Sequence, residues 1–106
     1  MAESALTEGV YYILLSLLTP RHGYGILQET ERLSGGRLRL AAGTLYGALT
    51  SLTDRGWIRM LPVEDGSRKK EYQLTSTGRG ALERELERLR ELVKNGEQIL
   101  GGNQDA

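Results

Sequence analysis

The sequence predicts a mainly α-helical α+β domain in which four helices surround one small β-hairpin. Three observations carry this prediction: helical spacing of apolar residues, a strong turn signal at Asp65-Gly66, and glycines that end the helical segments. The chain has 106 residues, which allow one sizeable hydrophobic core, and 26% of them are charged. We therefore expect one compact unit of the ordinary water-soluble type.

Residues 5–18 are predicted to form the first helix, which is apolar on nearly every side. Its apolar face contains Val10, Ile13, Leu14, Leu17 and Leu18, and Tyr11, Tyr12 and Leu15 extend it almost all round. Such a helix must be covered on nearly every side, either by a partner subunit or by the rest of its own chain. Thr19-Pro20 ends it, because proline disfavours helical geometry in the residue before it.

The next segments predict a second helix and a short strand. Ile26, Leu27 and Leu33 give Gly23–Ser34 one apolar face, and Gly35-Gly36 stops the helix. Arg37–Leu40 then alternates polar and apolar residues, which favours a strand that pairs with the later hairpin.

A third helix and a hairpin follow between Ala42 and Leu74. The segment Gly43–Gly56 places Leu45, Leu49 and Leu52 on one helical face, and Gly56 fits a left-handed helix cap. Two strand-like runs, Trp57–Val63 and Lys69–Leu74, flank Glu64-Asp65-Gly66-Ser67, and the second run is preceded by Arg68. A helix followed by a hairpin with a basic arm suits a DNA groove and its flanking phosphates.

The last helix is predicted from Thr75 to about Leu100. Leu82, Leu86, Leu89 and Val93 follow a 4-3-4 spacing typical of a short coiled-coil seam, although Gly78 and Gly80 weaken the first turn. We interpret this helix as a dimerisation arm that packs partly on its mate and partly on the first helix. The predicted dimer contacts are Val10, Leu14, Leu82, Leu86, Leu89 and Val93.

The order of elements is that of a winged helix-turn-helix with a C-terminal dimerisation helix. The predicted divisions are a DNA-binding domain over residues 1–74, the dimerisation helix over 75–100 and a disordered tail over 101–106. The formal net charge is zero, but nine of the basic residues and only five acidic ones fall between Arg21 and Lys70. A basic middle with acidic ends agrees with DNA binding and is weak support by itself.

Other classes of function find little support in the residues. The chain has no cysteine and one histidine, His22, so we expect no metal, no cofactor and no enzymatic nucleophile–base set. Glu83 and Glu87 are interpreted as surface charges that pair with nearby arginines, and Trp57 as core rather than a ligand-stacking surface. The longest apolar run is too short to span a membrane and no secretory signal is evident, so a cytoplasmic protein is expected.

Four motifs together resemble the PadR family of bacterial transcriptional regulators. They are Tyr12-Ile-Leu-Leu-Ser-Leu-Leu, Arg21-His-Gly-Tyr-Gly-Ile, Gly43-Thr-Leu-Tyr-Gly-Ala-Leu and Asp65-Gly-Ser-Arg-Lys-Lys-Glu-Tyr-Gln-Leu-Thr. The similarity runs from about residue 6 to residue 100, and the single short C-terminal helix resembles the small branch of the family. It implies a homodimeric repressor of a pseudo-palindromic DNA operator, a role that a small aromatic or drug-like ligand often relieves.

The resemblance also assigns residues to roles. Thr44 and Tyr46 at the start of the third helix are implied to touch DNA, and Arg68, Lys69 and Lys70 to follow a phosphate track. Thr50 and Ser51 complete the expected DNA-binding set, although family members often carry basic residues there. Ala41-Ala42 likewise replaces a frequent Ser-Pro, which removes a side-chain cap from the helix.

Two further expectations concern ligands and partners. An effector would fit between two protomers, and Tyr11, Leu15, Leu89 and Val93 are the candidates to line its site. The competing hypothesis is a winged-helix module for protein–protein interaction without sequence-specific DNA binding, which the zero net charge and the neutral Thr50-Ser51 pair keep open.

Overall fold

The computed structural model describes residues 5–62 and 69–102. Its elements are, in chain order, α1 (Glu8–Ser16), β1 (Arg21–His22), α2 (Gly23–Leu33), α3 (Ala42–Asp54), β2 (Ile58–Met60), β3 (Glu71–Leu74) and α4 (Ser76–Glu97), followed by a π-helical turn over Gln98–Gly102. The predicted winged helix-turn-helix order is confirmed in every helix and in both strands of the hairpin. The predicted turn residues Glu64-Asp65-Gly66-Ser67, and Arg68 after them, lie outside the described residues.

One hydrophobic core joins the first three helices to the sheet and to the start of α4. Its buried apolar members are Ile13, Leu14, Leu17, Ile26, Leu45, Leu49, Leu52, Ile58, Tyr72 and Leu82. The three leucines predicted for the inner face of α3 are all among them, so the opposite face of that helix must point to solvent.

The sheet differs from the sequence prediction in one strand. It has the order β1-β3-β2 with antiparallel pairing, and its third strand is Arg21–His22, which lies opposite Tyr72 and Glu71. The prediction of a strand at Arg37–Leu40 is wrong, since these residues have no regular structure.

The alternation in that segment serves a different purpose. Arg37 forms a bidentate ion pair with Glu8 of α1, and Arg39 reaches Glu31 of α2 at 3.3 Å. The intervening Leu38 and the following Leu40 are partly buried, and Leu40 packs against the core. The alternation therefore reflects arginines that form ion pairs with two helices and leucines that are partly buried, rather than a strand paired in the sheet.

α3 and α4 meet at a compact connection that the sequence did not reveal. The Thr75 hydroxyl donates to the Gly56 carbonyl oxygen at 2.6 Å and accepts the Gly78 N–H at 3.0 Å, while the Thr75 N–H donates to the Trp57 carbonyl oxygen at 3.0 Å. Gly56 has φ 76°, as its predicted capping role requires. We call Gly56, Trp57, Thr75 and Gly78 the joint.

α4 belongs to the core at its start and leaves it further along. Gly78, Ala81, Leu82 and Glu85 are buried, whereas Val93 is 57% exposed. The described chain measures 65 × 32 × 21 Å, and its long axis reflects this projecting arm. None of the helices in the described residues is long and apolar enough to cross a membrane.

Candidate nucleic-acid interface

The outer face of α3 carries the four residues predicted there to bind DNA. Thr44, Tyr46, Thr50 and Ser51 are all exposed, and Tyr46 keeps 49% of its surface accessible. At 3.6 residues per turn, Tyr46 and Thr50 lie along one edge of this face, and Thr44 and Ser51 along the other. No charged residue separates the two edges in the first three turns, because Gly43 and Gly47 occupy the middle.

The hydroxyl groups on this face differ in their surroundings. Thr50 Oγ1 donates to the Tyr46 carbonyl oxygen at 3.1 Å. The hydroxyl proton is therefore used within the helix, and the oxygen is left to accept a hydrogen bond from outside. Ser51 lines a cavity of about 150 Å³ together with Thr7, Val10 and Arg55, and therefore faces the start of α1. α3 begins without a side-chain hydrogen bond at Ala41, as its Ala-Ala start predicts.

Tyr46 lies in the angle between α2 and the sheet. Its ring contacts Gly23 at the start of α2, where the glycine is buried. On the sheet side it approaches Tyr72: burial raises the pKa of the Tyr72 hydroxyl, and the nearby Tyr46 raises it further. Gly23 directly follows β1, and His22 of β1 lies opposite Glu71 of β3, so the Tyr46 edge of α3 is the edge nearer β1 and the start of β3, the strand that Lys69 and Lys70 precede.

Lys69 and Lys70 are exposed at the end of the hairpin nearest the turn. On the neighbouring β2 strand, the Arg59 guanidinium donates to the Gln73 side-chain oxygen at 3.2 Å across the sheet. Since Arg59 and Gln73 alternate with the buried Ile58 and Tyr72, this pair lies on the face of the sheet that points away from the core. Lys69 and Lys70 are therefore the candidate cationic contacts in the described part of the hairpin.

β1 and the start of α2 add side chains that the sequence analysis did not assign to the interface. Tyr24 is 71% exposed, and Arg21 is held by a 2.8 Å hydrogen bond from its Nε to the Ser16 carbonyl oxygen. A tyrosine on the polar side of an amphipathic helix is the signal that would have pointed to Tyr24. His22 lies 3.5 Å from the Glu71 carboxylate, and no cluster able to hold a metal ion occurs within the described residues.

An ion pair between the buried Glu85 and the partly buried Arg88 holds the start of the arm. Two hydrogen bonds from Arg88, at 2.6 and 2.8 Å, keep the pKa of Glu85 below its usual value, although burial acts in the opposite direction. A backbone hydrogen bond from Leu6 lowers the pKa of Glu85 further, which links α4 to the segment before α1. Among the exposed glutamates, Glu87 pairs with Arg90 as expected, whereas the partner of Glu83 is Arg79.

The predicted dimer residues fall into two groups. Leu14 is fully buried and Leu82 nearly so, and both serve the core of their own chain. Leu86, Leu89 and Val93 instead line an open groove of about 320 Å³ on the projecting part of α4. Val10 is partly buried against the core.

The predicted effector residues are likewise divided. Leu89 and Val93 belong to the α4 groove, whereas Tyr11 and Leu15 are partly buried and pack against the core. A second groove, of about 720 Å³, runs between α4 and the preceding segments and is lined by both apolar and charged groups. Its lining comprises Leu6, Trp57, Ala81, Arg84, Glu85, Glu87, Arg88, Arg90, Glu91 and Lys94.

Trp57 packs against the core, as predicted. It is partly buried against the core, and the Arg55 guanidinium carbon lies 4.9 Å from the centroid of its ring. Its remaining surface contributes to the second groove.

The architecture and the exposed face of α3 define the class of protein: a winged helix-turn-helix domain with a projecting C-terminal helix. Comparison with known proteins places the chain within that class. The model of the Transcriptional regulator PadR-like family matches residues 13–84. The chain belongs to the PadR-like family of transcriptional regulators.

Individual relatives agree with this assignment. A PadR family transcription regulator from Clostridium difficile is 26% identical, with a TM-score of 0.69, 87% of this chain and 98% of that chain covered. The Bacillus subtilis PadR in complex with operator DNA is 28% identical, with a TM-score of 0.67, and the match covers 79% of this chain and 49% of that one.

A curated relative extends the comparison to a longer protein. An uncharacterised 37.1 kDa protein in transposon TN4556 of Streptomyces fradiae is 44% identical over 66 residues. That match covers 62% of this chain and 18% of the transposon protein, so it spans less than a fifth of the relative's length.

Proposed function

We propose that this chain is a homodimeric DNA-binding repressor in which α3 enters the major groove and the hairpin contacts the adjoining phosphates. The observation that carries the proposal is the contact of Tyr46 with Gly23, which follows the strand paired with the start of β3 and so places this edge of α3 near the exposed Lys69 and Lys70. A groove-reading helix and a phosphate-binding strand then face the same duplex. The B. subtilis relative, whose structure includes operator DNA, supports DNA binding by this chain.

The two parts of the interface contribute different kinds of contact. The exposed side chains of α3 bear hydroxyl groups and no positive charge, so they supply hydrogen bonds and shape to base edges or sugar–phosphate groups. The lysines before β3 supply the salt-dependent attraction. We infer that affinity depends mainly on the hairpin and sequence discrimination mainly on α3.

Dimerisation through α4 completes the proposal. Leu86, Leu89 and Val93 form an apolar strip that continues the spacing of the buried Leu82 beyond the core. Pairing of two such strips would shield them from water and carry two α3 helices on one rigid unit. Two copies reading successive major grooves on one side of a duplex lie about 34 Å apart, which requires a pseudo-palindromic operator.

An effector would relieve repression by changing the relation of the two arms. The α4 groove with Leu89 and Val93 is the proposed seat for a small aromatic or drug-like compound, because a ligand there would lie where the two arms meet. Tyr11 and Leu15 are the residues of α1 proposed to border the same space in the dimer.

The salt dependence of DNA binding tests the proposal. Lys69→Ala/Lys70→Ala should weaken binding to all duplexes and make the plot of log affinity against log salt shallower by about one unit per lost phosphate contact. Arg79→Ala at the start of α4 is the control, since its exposed guanidinium pairs with Glu83 and lines neither groove of α4, and it should leave the slope unchanged. The assay is fluorescence anisotropy on a duplex selected by the unsubstituted protein from random-sequence DNA, at several salt concentrations.

The outcomes separate the two candidate functions. An unchanged slope in the double variant would remove the hairpin from the interface. Failure of the unsubstituted protein to bind DNA even at low salt would overturn the repressor and favour the protein–protein interaction module.

A further inference from the structure

Gly23 admits the side chain of Tyr46 at a point where any other residue would displace the tyrosine ring. A Cβ atom at position 23 would collide with the Tyr46 hydroxyl and would lie 2.9 Å from Cζ and 3.4 Å from Cε1 of the same ring. The backbone does not require glycine there, because the positive-φ glycines of the described residues are Gly35, Gly36 and Gly56. The close approach of the tyrosine is therefore the reason for glycine at this position.

The contact fixes the position of the Tyr46 hydroxyl but provides it with no hydrogen bond. Within residues 5–62 and 69–102, no hydrogen bond to that hydroxyl is formed, and about half of the side chain is exposed. A phenol in this state can both donate and accept a hydrogen bond. It is held by packing against Gly23, and the exposed half of the residue leaves room for an external partner to approach.

We propose that Gly23 is a positioning residue, which selects the Tyr46 rotamer and so fixes the tyrosine hydroxyl for contact with DNA. The inference rests on the proposed DNA binding and adds to it the residue that sets the geometry of the contact. A long side chain on a helix chooses mainly between two χ1 orientations. The space above Gly23 allows the orientation seen in the structure, and an alanine methyl group would force the Tyr46 ring into the other χ1 orientation.

The fold should tolerate this change because the obstructed atoms are the far end of a side chain. Tyr46 can swing toward solvent, whereas the helix backbones need not move. Gly25 provides a matched control two residues further along α2, since a Cβ there would meet only the Arg21 Cβ at 3.6 Å, an ordinary contact. Both substitutions remove a glycine from the same helix.

The experiment measures binding to the selected duplex by fluorescence anisotropy. Gly23→Ala should lower affinity roughly three- to tenfold, the loss expected for one hydrogen bond, without lowering the melting temperature. Gly25→Ala should retain the affinity of the unsubstituted protein. In a Tyr46→Ala background, Gly23→Ala should cause no further loss, because the obstructed ring is gone.

A second measurement needs no DNA. The ring resonances of Tyr46 in protein labelled with ¹³C-tyrosine, assigned by Tyr46→Phe, should shift in Gly23→Ala and remain in place in Gly25→Ala. An equal loss of affinity from Gly23→Ala in the presence and absence of Tyr46 would overturn the proposal, as would unshifted ring resonances. If the unsubstituted chain bound no DNA, the proposed function would fail, and the resonances would still decide whether Gly23 positions Tyr46.

Discussion

Replacing Gly78 by alanine should destabilise the protein, although helix propensity alone predicts that alanine would stabilise α4. The new Cβ would collide with the Trp57 carbonyl oxygen, and it would lie 2.8 Å from Leu74 Cδ1 and 2.9 Å from the Trp57 carbonyl carbon. That carbonyl cannot turn away, because it accepts the Thr75 N–H at 3.0 Å. The Gly78 N–H is also the donor to the capping Thr75 hydroxyl, so relief by backbone movement would weaken the cap.

The magnitude follows from three contributions. Overpacking against a fixed backbone group destabilises by roughly 1–3 kcal/mol, and this contact belongs at the upper end. Loss of a helix cap adds about 1 kcal/mol. Replacing glycine by alanine within a helix returns about 1 kcal/mol. The net loss in the free energy of unfolding is therefore about 3 kcal/mol, or roughly 15 °C in melting temperature for a chain of this size.

Gly80→Ala is the control for this prediction. Its Cβ would approach only Arg84 Nη1, at 3.4 Å, and that guanidinium lies at the end of a flexible side chain. This variant should be as stable as the unsubstituted protein or up to about 1 kcal/mol more stable. Urea and thermal unfolding, measured at one fixed protein concentration, give both values. A Gly78→Ala variant within about 0.5 kcal/mol of the unsubstituted protein would refute the reasoning, since that is the spread of ordinary surface substitutions.

Three further predictions concern the cap, the buried ion pair and the arm. Thr75→Ala should lower the free energy of unfolding by about 1–2 kcal/mol, more than Thr7→Ala, because Thr7 only caps α1 whereas the Thr75 hydroxyl also bonds Gly56; equal losses in urea unfolding would contradict this. The pKa of Glu85 is lowered in the folded state, so the stability that its ionised form contributes is complete above the ordinary value of 4.5 and is lost as the pH falls through the lower folded value. The difference in free energy of unfolding between the unsubstituted protein and Glu85→Gln should therefore shrink below pH 4.5. A constant difference from about pH 7 to about pH 3 would count against this prediction. Val93→Glu should convert the proposed dimer to monomers in sedimentation velocity without changing the far-ultraviolet circular dichroism, whereas a dimer that survives would exclude this part of α4 from the interface.

The sequence predicted those elements whose signal is local. The spacing of three leucines predicts the inner face of α3, and one glycine predicts where the helix ends, so neither prediction requires knowledge of the rest of the chain. β1 was missed because two residues carry no period of their own, and they become a strand only through their partner β3. Four alternating residues at Arg37–Leu40 were misread because ion pairs to two helices produce the same pattern as a half-buried strand.

The candidate interface was only partly accessible to the same reasoning. Exposure of Tyr46 follows from its place on α3, but its contact with Gly23 joins residues that are far apart in sequence. Helix propensity identifies Gly78 as a weak point because it takes no account of neighbouring residues. The structure shows that Gly78 packs against the carbonyl group of Trp57, the residue before β2. The spacing of α4 continues unchanged from Leu82 to Val93, so nothing in it marks where the core ends and an exposed strip begins.

The joint has a consequence for how a dimer of this protein would measure DNA. Thr75 bonds Gly56, two residues after α3, and the first turn of α4 at once, so its hydroxyl restricts movement of the arm relative to α3. In the proposed dimer, a rotation of one arm against its mate would therefore be transmitted to α3. The half-site spacing that such a dimer accepts is then a property of the arm pairing and is read only secondarily by the groove contacts. Changing the half-site spacing that the proposed dimer recognises would then call for substitutions along α4.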